Sequence, residues 1–293
     1  SNFDYLDVDS VIQEQKAFEK CQDVVLEYPV AENEGEEDNT YLSYNMVAGN
    51  ASDSQMAMAF EVLDYALLSA PGAPLKQARK DVYGSYDDGI LQPYFTVIAK
   101  GSNPDKKEEF LSVIRQVLGD IVKNGIDKKA IEAGINYFEF RYREADFSSY
   151  PKGLMYSLDI LGDWLYEQGN PFAQVQQLEV FEKLKAAVNE GYFEELIRKY
   201  LLENPHGCVL TLVPKKGLAA KREKELEEKL EAYRSSLSEQ ELNAMVEKTK
   251  ALEAYQEAEE DQEALECIPM LKRSDIKKEA AKFVNEELSV DDS

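Results

Sequence analysis

A single histidine, His206 in Asn204-Pro-His-Gly-Cys208, limits the chemistry open to this 293-residue chain. A catalytic zinc site draws on three protein ligands, two histidines or a cysteine pair among them, so neither His-Glu-x-x-His nor its inverse can be written here. A Ser-His-Asp or Cys-His arrangement would have to use His206. Its place just before a strand reads instead as a loop histidine capping a turn. The three cysteines, Cys21, Cys208 and Cys267, are odd in number and widely spaced, with no Cys-x-x-Cys pair. That usage fits a reducing, intracellular compartment, cytoplasm or organelle matrix. The glycines form neither a phosphate loop nor a dinucleotide fingerprint. Asp87-Asp88, Asp120 and the acidic loop near Glu36 could act as acid and base, but among 57 acidic residues such neighbours arise by chance. No catalytic residue, no metal ligand and no cofactor is assigned to this chain.

The formal net charge of −24 argues against nucleic acid as a partner, because phosphate binding needs clustered Lys and Arg. The same acidity would concentrate basic peptides wherever carboxylates line a cleft. No run reaches the ~18 apolar residues of a membrane helix, so no membrane span is expected. Ser1-Asn2 resembles the scar of a cleaved tag, and the natural start is expected upstream. Aromatic residues gather at Tyr137, Phe138, Phe140 and Tyr142 and again at Trp164 and Tyr166, where packing in a core or groove is the plain reading.

The elements that would hold these residues mix strands and helices without strict βαβ alternation. Val24–Val30 and Thr40–Ala48 read as strands from their β-branched and aromatic content. A helix starts at the N-cap Asp53 and ends at Pro71-Gly72, and a shorter one opens at Pro74. Lys80–Ala99 reads as a hairpin turning at Asp87-Asp88-Gly89, with Pro93 pointing to an edge strand or a bulge. Helical stretches are expected at 104–123, 127–145, 151–167 and 174–202, then a strand at Cys208–Val213. The class is α+β, helices on one face of a mostly antiparallel sheet. From Ala219 to Glu266 there is neither glycine nor proline, and the stripes Leu226, Leu230, Tyr233, Leu237 and Leu242, Met245, Leu252, Tyr255 make two helices around a cap at Ser238. The expected division is an α+β domain over 1–218 and a helical hairpin with an extended tail over 219–293. Pro214, Lys215, Lys216 and Gly217 between them are the candidate hinge.

Tyr41-Leu-Ser-Tyr-Asn-Met, Leu67-Leu-Ser-Ala-Pro-Gly-Ala-Pro-Leu-Lys76 and Lys80-Asp-Val-Tyr-Gly-Ser-Tyr-Asp-Asp-Gly-Ile-Leu-Gln-Pro93 together resemble the second domain of presequence proteases, the pitrilysin/insulysin-type branch that includes falcilysin. Ala264-Leu-Glu-Cys-Ile-Pro-Met-Leu-Lys-Arg-Ser-Asp-Ile276 is similar to the linker joining the two halves of those enzymes. The resemblance implies an ATP-independent zinc endopeptidase that cuts unfolded peptides in a closed chamber, with zinc in a first domain that this chain lacks. This piece would supply chamber wall and linker, with the remaining domains of the same polypeptide and peptide substrates, basic ones among them, as partners. A stand-alone, non-catalytic peptide-binding or scaffold protein on the same fold is the alternative. In the family a longer connection leads from helix to strand where Arg79 alone stands between Ala78 and Lys80.

Overall fold

In β2 (Thr40–Val47), alternate residues Leu42, Tyr44 and Met46 are buried on one side, as a period of two requires. Their partners Ala99, Val97 and Phe95 on β4 (Tyr94–Ser102) share that side. Val82 and Tyr86 of β3 (Val82–Asp87) extend it. The computed structural model describes residues 9, 11–145, 147–166, 172–259, 261–270 and 272–275. β5 (Gly207–Lys215) lies antiparallel to β2 and parallel to β1 (Gln22–Pro29), giving the order β1-β5-β2-β4-β3. The class is therefore α+β with a mostly antiparallel sheet.

Helices cover the apolar side. α1 (Ser54–Asp64) is capped by the Asp53 carboxylate, which accepts from the Met56 amide, and it continues as a π-helical turn over Tyr65–Ser69. α2 (Pro74–Ala78) follows. α3 (Lys107–Asn124) and α4 (Lys128–Glu144), the latter capped by Asp127, bring Phe110, Ile114, Leu118, Ile131 and Ile135 onto Phe60 and Leu63 of α1 in one continuous core. The short connection after α2 closes cleanly. Arg79 pairs with Asp81 at 2.9 Å, donates to Ser102 Oγ at 3.1 Å and lies over the Phe110 ring.

Two expectations need correction. Pro93 marks neither an edge strand nor a bulge: β4 lies inside the sheet, between β2 and β3. The ladder begins at Tyr94, so the missing N–H of Pro93 is not required, while its carbonyl accepts from the Ala48 amide at 2.8 Å. The register shift in β4's pairing lies at its other end, opposite Thr40 and Leu42. The stretch 174–202 is not one helix. α6 (Leu178–Ala187) and α7 (Tyr192–Leu196) are separated by a turn through Asn189-Glu190-Gly191, and a π-helical stretch completes Ile197–Leu202. α5 (Lys152–Trp164) precedes them, and Glu167, the expected end of its helix, lies outside the described residues.

By contact the chain divides into two units, residues 1–223 and 224–293. α8 (Leu218–Ser236) begins in the first unit and runs into the second, where α9 (Glu239–Glu257) and α10 (Gln262–Glu266) follow. Ser238 and Glu241 form the capping box read from their spacing, each side chain engaging the other's backbone amide. Leu226, Leu230, Tyr233, Met245, Leu252 and Tyr255 are exposed along α8 and α9. Of the tail, residues 273–275 form a single 3-10 turn and 276–293 lie outside the described residues, along with Ile276 of the linker-like segment. No helix among the described residues is long and apolar enough to cross a membrane.

Candidate peptide-binding site

Three carboxylates from three elements meet in a cavity of about 300 Å³. Glu61 comes from α1, Asp88 from the β3–β4 turn and Asp159 from α5, and Phe138, Tyr142, Phe147 and Tyr156 stand around them. Phe147 and Tyr156 meet edge to face with centroids 5.4 Å apart. Burial pushes the Glu61 carboxyl up to about 7, helped by Asp88 and Asp64, with Arg141 pulling the other way. Burial likewise raises Asp88 and Asp159, and each is raised further by an acidic neighbour. Just behind, burial lifts Asp64 to about 6, and its Oδ1 has no hydrogen-bond partner among the described residues. The pocket thus concentrates negative charge in a partly desolvated, aromatic setting, the chemistry that attracts an ammonium or guanidinium group.

Sequence reading singled out Asp88 through its turn but missed Glu61 and Asp159. The available signal was that Glu61 and Asp64 are the two acids in the otherwise apolar run Met56–Leu68. Asp87 is not part of the pocket constellation: its carboxylate accepts from the Gly89 amide and the Tyr94 hydroxyl, closing the turn. Glu36 accepts from the Lys216 amide at 2.9 Å.

A second cavity, about 470 Å³ and mainly apolar, lies on the sheet's other face. There Ser43 and Thr96 donate to Asn45 Oδ1 at 2.8 and 2.7 Å, and Asn45 Nδ2 donates to the Cys208 carbonyl. Residues 12–18 run beside it. Gln92 holds both the amide and the carbonyl of Gln15, as a neighbouring strand would. His206 is 6% exposed, and its Nδ1 accepts from the Phe18 amide at 3.2 Å. The ring proton therefore sits on Nε2, which is buried without a partner among the described residues. With its basic nitrogen engaged by a backbone amide, His206 is a structural tie. Burial raises both Cys21 and Cys208, opposite to what a thiolate nucleophile requires.

The residues do not fit a zinc site. One histidine and three scattered free thiols supply no donor set, and among the described residues no three His, Cys, Asp or Glu side chains converge as ligands. Of the candidate hinge, Pro214 and Lys215 close β5 opposite Tyr28 and Pro29. Lys216 ties its amide to Glu36 and its Nζ to the Glu32 carbonyl at 2.8 Å. Gly217 sits at φ +72°, a left-handed conformation that proline cannot adopt.

Residues 212–292 match the family described as Peptidase M16 (subfamily C) associated. The chain is 41% identical over 296 residues to Protein HypA of Clostridium perfringens, an alignment covering 99% of this chain and 30% of that protein. It is 29% identical over 282 residues to presequence protease 1, chloroplastic/mitochondrial, of Arabidopsis thaliana, covering 92% of this chain and 26% of the relative. Among solved structures, a protease from Helicobacter pylori superposes with TM-score 0.50 at 13% identity, over 73% of this chain and 50% of that one, a likeness of fold. The chain spans less than a third of the length of these two curated relatives.

Proposed function

The chain belongs with the presequence-protease-like M16 peptidases as a second-domain piece, and from that premise we propose that it is the non-catalytic wall and linker of an ATP-independent zinc endopeptidase. In this reading zinc and the water-activating residues lie in a first domain of the same polypeptide, and unfolded peptides are cut inside a closed chamber. One observation carries it: an alignment running over 99% of this chain occupies 30% of the relative, and the aligned portion has a single histidine. That relation favours part of a longer enzyme over a stand-alone scaffold. The free thiols Cys21, Cys208 and Cys267 support a reducing compartment.

The purified chain, given zinc and a quenched unstructured basic peptide, is expected to show no chelator-sensitive cleavage, while the full-length protein cleaves the peptide and loses activity to the chelator. Zinc-dependent cleavage by these 293 residues alone overturns the reading.

The acidic pocket is the part of the wall that selects basic peptides. Association of a basic peptide should slow roughly tenfold from low to high salt, and Asp88→Asn with Asp159→Asn should flatten that dependence. A rate indifferent to salt overturns the selectivity.

The junction Pro214–Gly217 is the point about which the wall and the linker change their relation. Because a Cβ at Gly217 meets no atom within 4 Å, Gly217→Ala perturbs the backbone alone, at roughly 1 kcal/mol for the left-handed conformation. In the full-length enzyme Gly217→Ala should slow turnover of long peptides more than of short ones, and equal turnover of both removes the junction from the mechanism.

A further inference from the structure

α5 carries its apolar side outward. Leu154, Leu158 and Leu161, continued by Leu165 just past the helix, are 50, 52, 46 and 71% exposed, and Trp164 beside them is also exposed. Their spacing of four, three and four residues keeps all four leucines within an arc of about 60° on a helix turning about 100° per residue. The opposite side, with Tyr156, Asp159 and Ile160, looks onto the acidic cavity of about 300 Å³ and a neighbouring one of about 570 Å³. Surface helices ordinarily bury the apolar stripe and leave the polar one in water. Here the order is reversed, so the leucine ridge is a contact surface whose counterpart is missing.

We propose that this ridge seats a helix from the part of the same polypeptide that lies outside these 293 residues, an inference that rests on reading the chain as a piece of a longer peptidase. A 4-3-4 leucine seam is the pattern that interdigitates with another helix. Gly153 and Gly162 flank it with open space where a Cβ would stand, which lets a neighbouring backbone come close. A second copy of this chain is a poorer occupant. Thirteen helical residues present a strip about 20 Å long and 10 Å wide, so even twice that area falls short of the ~800 Å² per partner of a stable complex. The same small contact suffices when a covalent tether holds the partner at high effective concentration. A relative of which this chain spans 30% has ample chain to provide it.

Hydrogen exchange of the full-length protein against the 293-residue chain tests the proposal. Amides of 154–164 should exchange about tenfold or more slowly in the full-length protein. Leu158→Asp with Leu161→Asp, and the milder Leu161→Ser, should restore fast exchange there while leaving the unfolding midpoint of the 293-residue chain unchanged, because the ridge faces water in that chain. Equal exchange of α5 in the two proteins overturns the proposal. So does a concentration-dependent dimer of the 293-residue chain that Leu158→Asp dissolves, or protection of α5 that appears only when a basic peptide is added. The exchange readout requires neither zinc nor cleavage, so a full-length protein without peptidase activity would sink the parent reading and leave this test standing.

Discussion

Gly84→Ala is expected to destabilise the first unit by about 3 kcal/mol, the upper part of the range for overpacking. Gly84 lies in β3 opposite Val97 of β4, and a Cβ there would overlap the backbone carbonyl of Thr96 while standing 2.8 Å from Leu68 Cδ1. Leu68 is itself buried in the π-helical turn after α1, so neither neighbour can yield cheaply. Relief requires prising β3 away from β4, which also disturbs Tyr86 where it stacks on Phe60 at 5.2 Å. Against a typical total of about 5–15 kcal/mol, the loss should appear as a large drop in the urea midpoint. Gly119→Ala is the matched control: in α3 a Cβ meets nothing within 4 Å, and alanine's helix preference should raise stability by up to about 1 kcal/mol. A Gly84→Ala midpoint equal to that of the parent chain would mean that β3 shifts freely along its neighbour.

Glu61→Gln should stabilise the protein at about pH 8 and do little at about pH 5. The folded carboxyl is raised to about 7 from its ordinary 4.5, chiefly by burial, so the folded state holds the proton more tightly than the unfolded one. Stability contributed by this proton is fully present below about 4.5 and is lost as pH rises through 7. At about 1.4 kcal/mol per pKa unit, the ionised carboxylate costs up to about 3 kcal/mol at about pH 8. Glutamine keeps the shape and is neutral at every pH, which removes that cost. Urea unfolding of both proteins at the two pH values gives the comparison, and an advantage for Glu61→Gln that is the same at both contradicts the burial account. The arrangement also bears on the proposed function: a cationic side chain entering the pocket would favour the ionised Glu61, so bound basic peptide should shrink the advantage of glutamine at the higher pH.

Local features were legible because they are written in neighbouring residues. Asp53 and Asp127 cap the helices they announce, Asp87-Asp88-Gly89 turns β3 into β4, and Ser238 with Glu241 starts α9. Where local reading went astray, a non-local fact decided. Pro93 looked like an edge marker until β2 proved to take the outer ladder of β4, and 174–202 kept its helical composition although a turn at 188–191 divides it. The pocket was the hardest part to see. Glu61, Asp88 and Asp159 are scattered among 57 acids, and only the packing of α1, the β3–β4 turn and α5 brings them into one cavity.

By itself, then, the amino-acid sequence determined the chemistry this chain lacks, since one histidine and three scattered thiols cannot furnish a zinc donor set in any fold. It also determined the α+β class, because hydrophobic period and caps act over a few residues. Only the tertiary structure decided that β1 pairs with β5, that His206 holds the Phe18 amide, that three carboxylates share a desolvated pocket, and that α5 faces its leucines outward. The physical reason is the same in each case: these relations join residues far apart in the chain, and burial, which sets both pairing and protonation, is a property of the whole fold.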